Sequence, residues 1–425
     1  MKKIFSKLAR RLRFSVRSKR FALEGLEEVA ERLKLRSLEL LPEAAVCGHQ
    51  VKFFPSRSCT GLSFVVEEKD PGSRMFTFEN VSCVGRTELV LVSDKALFPK
   101  PFDPQSFVFM LEIEGRARVL SEGRILKLET RSSKLHVKAA VSLLGQCNGN
   151  YAHWVLEVLT RLCLIDAVEE TRGLPVLIDW PVHESLLRAF DVMNASGRAV
   201  IRVQAGQEVM VEKLYYLTSP SFTPPETRSV FERGELGVAL PTQFQFSRVA
   251  LSLLRRRALE VVDRLFNARE ESCVPWFLGT SRSRDALSER FFINRNPAST
   301  GNGRHVMNGE SVRSFLETQN FVELDLASMP FEHQVAAVQS GRVFVAPLGA
   351  ACVNLVFARP GATVVLLSPT FDGANWYYWS NLMIAMGHRL IVVTGPQVTS
   401  GSANLQHRDY WVPLSAIREG LEEAL

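Results

Sequence analysis

The chain has 425 residues, 46% hydrophobic and 23% charged, with a formal net charge of +6. That balance excludes wholesale disorder, and the length favours two domains over a single core. Seven scattered Cys with no CxxC pair argue against a disulfide framework or structural zinc site and for a reducing compartment, and no apolar run is long enough to span a bilayer.

The first twenty residues, MKKIFSKLARRLRFSVRSKR, hold nine Lys or Arg and no acid. Ile4, Phe5, Leu8 and Leu12 recur between them at helical spacing, which predicts a basic amphipathic helix lying on an anionic membrane surface. A solvated basic tail and a mitochondrial presequence share this composition, whereas a secretory signal would need an apolar h-region. Beyond this segment acids and bases nearly balance and no aromatic-basic groove motif appears, so nucleic-acid binding is not expected.

The helical pattern runs on, giving an N-terminal segment of residues 1–40. From about 50 to 145 the chain reads as short strands and turns: SFVVEE, TELVLVS, FVFMLEIEG and HVKAAVSLL. A helix from Tyr151 to Glu169 follows, then strand LPVLID, a helix around 182–195, and strands AVIRVQ and VMVEKLYYL. This alternation predicts an α/β unit with a partly mixed sheet over residues 41–240. A Pro-rich break, PSFTPPET, precedes a long Arg-rich helix, FSRVALSLLRRRALEVVDRLF, in a linker at 241–272. The second unit, 273–398, has strands RFFIN, FVELD, RVFVA, ATVVLL and RLIVVT with single helices between them, and 399–425 form a tail and helix. Short apolar strands separated by single helices predict a parallel, doubly wound sheet. Two such units joined by a hinge place a ligand cleft at the strand C-terminal ends.

Within this frame, QCNGNYAHWVLEVLTRL (146–162) places His153, Glu157 and Arg161 four apart, a drifting stripe on one helix face. A capped helix with a Glu157–Arg161 pair accounts for the spacing as well as a catalytic stripe does. In RVFVAPLGAACVNLVFARPGATVVLLSP, the turn at Gly349, Ala350 and Ala351 is small enough for close backbone approach, and the following helix start suits an anion; Asn354 lies one turn in. A tight βα turn packed on a neighbour explains the same residues. Arg295 and Arg304 flank a Gly-rich loop and suit a diphosphate, since guanidinium binds phosphate bidentately; ordinary surface arginines, the more common state, fit the same pattern. Asn308 is a predicted N-cap with Glu310 in the first turn. FEHQVAAVQS places Glu332, His333 and Gln334 at a helix start, and the WYYW cluster at 376–379 suits core or interface packing. The chain has no P-loop, GxGxxG, GxSxG, HExxH or DxD, so a carboxylate-held metal nucleotide has no visible anchor.

In order, these stretches read N-x-x-H-x-x-x-E-x-L-x-R-L, R…R-x-x-x-N-x-E, E-x-Q, and G-A-x-x-x-N…F-x-x-P-G-A-x-V-V-x-L. The series resembles glycosyltransferase family 61 and related bacterial polysaccharide-biosynthesis proteins, over roughly residues 140–395. Its most specific part is the spacing through Gly349, Ala350, Asn354, Phe357, Pro360, Gly361 and Ala362.

The resemblance implies a GT-B fold, two Rossmann-like α/β domains facing a central cleft. It implies an inverting, metal-independent transferase that takes a nucleotide sugar as co-substrate and needs no cofactor. It puts the donor on the second domain, at Arg295, Arg304, Asn308, Gln334, Gly349, Ala350, Ala351 and Asn354. The saccharide or lipid-linked acceptor falls on the first, at Asn150 and Arg161, with Glu157 as base and His153 as its partner or substitute. Surface-polysaccharide assembly at the cytoplasmic face of the inner membrane is the implied setting. One position departs: the family usually has His directly before the Gly-Ala pair, and this chain has Leu348, which cannot donate a hydrogen bond to donor phosphates. Compensation by Arg295, Arg304 or His333 is one consequence; a catalytically inactive scaffold of a polysaccharide-assembly complex is the alternative.

Overall fold

A computed structural model describes residues 16–46, 51–55, 68–99, 117–120, 125–131, 133–223, 244–268, 289–295, 304–371, 374, 376–398 and 405–425. Residues 1–15 of the predicted membrane helix, the FVFMLEIEG strand and all but the last residue of SFVVEE lie outside these. The described part is α/β.

In chain order the strands of the first half are β1 (Val16–Gly25), β2 (Ser37–Leu41), β3 (Ala44–Val46), β4 (Lys52–Phe54), β5 (Glu68–Asp70), β6 (Ser73–Val84), β7 (Val90–Val92), β8 (Lys95–Phe98), β9 (Ala117–Leu120), β10 (Ile125–Arg131), β11 (Lys134–Ser142), β12 (Val176–Trp180), β13 (Val200–Gln204) and β14 (Glu208–Leu217). Among the described residues, eleven of them form one sheet in the order β13-β12-β11-β14-β6-β7-β8-β1-β10-β9, with β2 on β6. β13, β12, β11 and β14 run parallel and carry the expected βαβ alternation; from β6 onward the pairing is mainly antiparallel. The mixed sheet read from the sequence is therefore present.

The basic N-terminus is corrected in part. Residues 16–25 are strand, not helix: β1 runs antiparallel to β10 and parallel to β8. Phe21 and Leu23 are buried with Ala22 exposed between them, a period of two that the helical reading overlooked. Lys19 reaches buried Glu208 at 3.4 Å, and Lys134 meets the same carboxylate at 2.8 Å. Burial alone would raise the Glu208 pKa, but the two ammonium groups hold it below the ordinary range.

The second half holds β17 (Arg290–Ile293), β18 (Val322–Leu324), β19 (Val343–Pro347), β20 (Thr363–Thr370) and β21 (Arg389–Pro396), after two short strands, β15 (Ser221–Phe222) and β16 (Gln245–Phe246), that pair with each other. Its sheet is β18-β17-β19-β20-β21-β4, with every pair parallel. Counting β17 as the first strand, the order is 2-1-3-4-5, and the chain reverses direction across the sheet between β17 and β19. β20 and β21 are buried along nearly their whole length, so they read as continuous apolar runs instead of alternating ones. The sixth strand was not legible: β4 comes from residues 52–54, within the segment assigned to the first unit, and pairs with β21.

The halves share one apolar core. Trp154, Leu159 and Leu162 from the first belong to the same buried cluster as Phe331, Val335, Phe357 and Leu382 from the second. The long helix Arg248–Ala268 contributes Leu251, Leu254, Ala258 and Val262 to it. WYYW lies at this junction: Trp376 is 5.1 Å from Phe53, and Tyr378 meets Phe246 edge-on at 5.3 Å.

Candidate active site

The first group of candidate residues lies at the carboxyl ends of β11 and β14. After β11 the chain turns through Gly145–Asn150 and enters a helix at Tyr151. Asn150 is the N-cap, its side-chain oxygen accepting from Ala152 N at 2.8 Å. One turn in, the helix widens to a π-helix over Trp154–Leu159 and then resumes as α-helix over Thr160–Ile165. Inserted π-turns are rare and frequently accompany function.

Here His153 Nδ1 lies 2.8 Å from Glu157 Oε1. Glu157 is only 5% exposed, yet with His153 it lines a small pocket, roomy enough for a water-sized group, together with Glu88, Gln146, Cys147 and Phe222. Arg161 is turned to backbone carbonyls. Arg161 is 1% exposed, and its guanidinium donates to the carbonyls of Glu157, Leu143 and Leu144 at 2.9, 3.1 and 3.2 Å. It fastens the loop after β11 to the helix, so the stripe consists of two residues, not three.

Asp179, at the end of β12, holds that loop. Its carboxylate accepts N–H groups of Gly145 (2.9 Å), Asn148 (2.7 Å) and Arg86 (2.5 Å). Full burial pushes its pKa up to about 6 despite these three donors. A Cβ on Gly149 would stand 2.7 Å from Arg86 Nη1, so a side chain there would displace the tip of that arginine.

The second group lies at the reversal between β17 and β19, the crevice position in doubly wound sheets. Arg295, two residues past β17, donates to the Leu348 carbonyl past β19 at 3.2 Å. A Cβ on Gly349 would meet Arg295 Nη1 at 2.9 Å, so this turn tolerates no side chain without moving the guanidinium. The segment after Gly349 is a 3-10 helix, Ala350–Phe357, where an α-helix was expected. Ala350 and Ala351 sit half-buried at its start, against the shared core.

The charge of Arg304 reaches the same groups as that of Arg295. The Arg304 backbone is left-handed, φ +85°, a conformation costly for a side-chain-bearing residue, and Asp409 holds it by accepting the N–H groups of Arg304 (2.9 Å) and His305 (2.7 Å). Three groups, half-buried His407 and buried Cys352 and Tyr410, feel both guanidinium charges. Burial lowers the His407 pKa to about 4, and Arg304 and Arg295 add to the effect. Burial raises the Cys352 thiol to about 12 and pushes the Tyr410 phenol above its ordinary value, and the same two arginines oppose both shifts. The result is a cationic cluster at a strand-end crevice, with a neutral imidazole beside it.

The other predicted residues serve different contacts. Asn308 is not a side-chain N-cap; its amide pairs with the Val412 backbone, donating at 2.8 Å and accepting at 3.0 Å. Gln334 and Asn354, both buried, meet the Tyr151 hydroxyl at 2.8 and 2.5 Å. His333 packs edge-on against Phe266 at 5.3 Å. Sequence reasoning missed Glu88, Tyr151, Asp179 and His407. Tyr151 stood inside the quoted motif, but a Tyr at a helix start carries no spacing signal, and His407 reaches the cluster from over 100 residues beyond Arg295. Among the described residues, no group of three His, Cys, Asp or Glu is arranged to hold a metal, and no helix is long and apolar enough to cross a membrane.

The family model Glycosyltransferase 61 matches residues 151–365, from the first helical residue before His153 into β20. No curated protein matches the chain.

Proposed function

Given that the chain belongs to the glycosyltransferase 61 family, and is thus a glycosyltransferase using a nucleotide-sugar donor and a saccharide acceptor, we propose an inverting, metal-independent transfer between its two halves. The observation that carries this reading is the contact of Arg295 with the Leu348–Gly349 turn at the β17/β19 reversal, where the charge of Arg304 also reaches Cys352. There the donor diphosphate would meet two guanidinium groups and bare backbone, which stabilise the charge that grows on the leaving group. Neutral His407 supplies a hydrogen-bond donor, a role that Leu348 cannot fill. This favours an active enzyme over a scaffold.

In this reading the halves act as the acceptor and donor units of a GT-B enzyme. An acceptor hydroxyl enters the Glu157 pocket and attacks the anomeric carbon opposite the diphosphate. The hydroxyl proton passes to Glu157 as the new C–O bond forms, and the nucleoside diphosphate leaves with inversion. His153, against Glu157 Oε1, holds the carboxylate in place. The acceptor belongs to a surface polysaccharide, as the resemblance implies, and the basic residues 1–15 bring the enzyme to an anionic membrane face.

The test is a panel of UDP-, dTDP- and GDP-linked sugars. One should raise the melting temperature and release nucleoside diphosphate with saccharide acceptors, in chelator as well as without. Stabilisation without turnover by any donor would favour the scaffold; turnover only with added divalent metal would end the metal-independent reading.

A further inference from the structure

The Tyr151 hydroxyl lies between the halves. It is 2.8 Å from Gln334 Oε1 on the helix Phe331–Val338 and 2.5 Å from Asn354 Oδ1 on the 3-10 helix after Gly349. A phenol has one hydrogen, so it cannot donate to both oxygens. The Gln334 nitrogen already donates to the Met329 carbonyl at 2.8 Å, which fixes its oxygen toward Tyr151. The network closes when Tyr151 donates to Gln334 and the Asn354 amide turns its N–H toward the phenol oxygen. The Tyr151 hydroxyl and the Gln334 amide are then both matched, and burial makes the alternative, two oxygens facing one hydrogen, costly. Burial also raises the phenol pKa far above its ordinary value, so the group stays a hydroxyl.

Tyr151 is two residues before His153 and six before Glu157, in the first turn of their helix. A second tie lies nearby: Arg188, on the helix Glu184–Met193, forks onto buried Glu332, with Nε 3.2 Å from Oε2. The E-x-Q residues and Asn354 thus grip the first half instead of pointing into solvent. We infer that Tyr151 is a positioning residue for the transfer: by tying the first turn of the His153–Glu157 helix to Gln334 and Asn354, it sets the base against the turn that would hold the donor. This rests on the reading of Glu157 as base.

Two measurements test it on the full chain. The first is hydrogen exchange without ligand. Tyr151→Phe keeps the ring and removes the hydroxyl; amides of residues 152–158 should exchange about tenfold faster or more, with the Arg248–Ala268 helix unchanged. Unchanged exchange at 152–158, or equal acceleration everywhere, overturns the tie. The second is kinetics with whichever UDP-, dTDP- or GDP-linked sugar turns over. Tyr151→Phe should lower kcat about tenfold or more, since small misplacements of a catalytic group are costly, while donor KM stays within about twofold. Asn354→Ser should give a similar loss, and the double variant no more than the larger single one. Wild-type kcat in Tyr151→Phe, or a raised KM with kcat kept, overturns the positioning role. If the wild type turns over no donor, it is the proposed function that falls, and hydrogen exchange still decides the tie.

Discussion

His153 Nδ1 and Glu157 Oε1 are 2.8 Å apart across one turn of π-helix, and both face the same small pocket. Arg161, one further step along, is turned wholly into the core. The proposed base therefore has an imidazole for a neighbour, while the guanidinium of the expected helix stripe is engaged with backbone carbonyls.

Glu157→Gln should lower turnover by about 100-fold or more, the usual scale for losing a general base. It keeps the shape and one acceptor oxygen, so the melting temperature and donor affinity should change little. If His153→Asn abolishes turnover and Glu157→Gln does not, the base is His153. Near-wild-type turnover in both would leave the pair a structural feature only.

Gly349→Val should cut nucleoside diphosphate affinity by about tenfold or more, measured by calorimetry in chelator. The physical reason is the 2.9 Å approach of a would-be Cβ to Arg295 Nη1. Either the guanidinium or the backbone must move, and both belong to the proposed diphosphate contact. Gly361→Ala is a control for backbone strain without crowding, since Gly361 has φ +86° and nothing within 4 Å of its Cβ position; it should cost stability, about 1 kcal/mol, and leave affinity intact.

Asp179 makes a pH prediction. Its folded pKa, about 6, is raised above the usual 3.8, so the native state binds this proton more tightly than the unfolded chain does. Its contribution to stability is fully present below about pH 4 and declines as pH rises to about 6. Asp179→Asn should remove that slope from denaturant-melting data. It should also lose about 1–3 kcal/mol, because an amide nitrogen would face N–H donors of Gly145, Asn148 or Arg86. An unchanged pH slope in the variant would assign the dependence elsewhere.

Removing residues 1–15 should release the protein from vesicles with anionic lipid and leave the melting temperature unchanged. Six of the nine basic residues go with this cut, each worth about 1 kcal/mol of attraction at best. A cut at residue 20 is a poor test, because it removes half of β1 and the Lys19–Glu208 contact. Equal vesicle binding by full-length and shortened protein would rule out this role.

Much of the architecture was legible where one signal dominates locally. The strands β17 to β21 are apolar runs divided by single helices, and each appears within about three residues of its predicted place. What failed depended on distant partners. Val16–Gly25 looks helical beside MKKIFSKLARRL, and only pairing with residues 95–98 and 125–131 makes it a strand. The π-turn at Trp154–Leu159 has no composition of its own, so the fate of Arg161 could not be read from a spacing of four. Gln334 and Asn354 show the same limit: a buried amide satisfies a ligand or a tyrosine equally well, and sequence does not say which stands opposite.

The pairing of β4 with β21 bears on how the polypeptide is made. Residues 52–54 leave the ribosome well over 300 residues before their partners at 391–393. The second sheet therefore cannot be completed by the C-terminal half of the chain in isolation. A fragment starting near residue 273 would present the bare edge of β21, with Ile391, Val392 and Val393 in succession, as a template for another chain. The native protein covers that edge with a three-residue strand whose Lys52 is held by Glu423. Exchange of the C-terminal half between relatives should give soluble chimeras only when residues 51–55 travel with it.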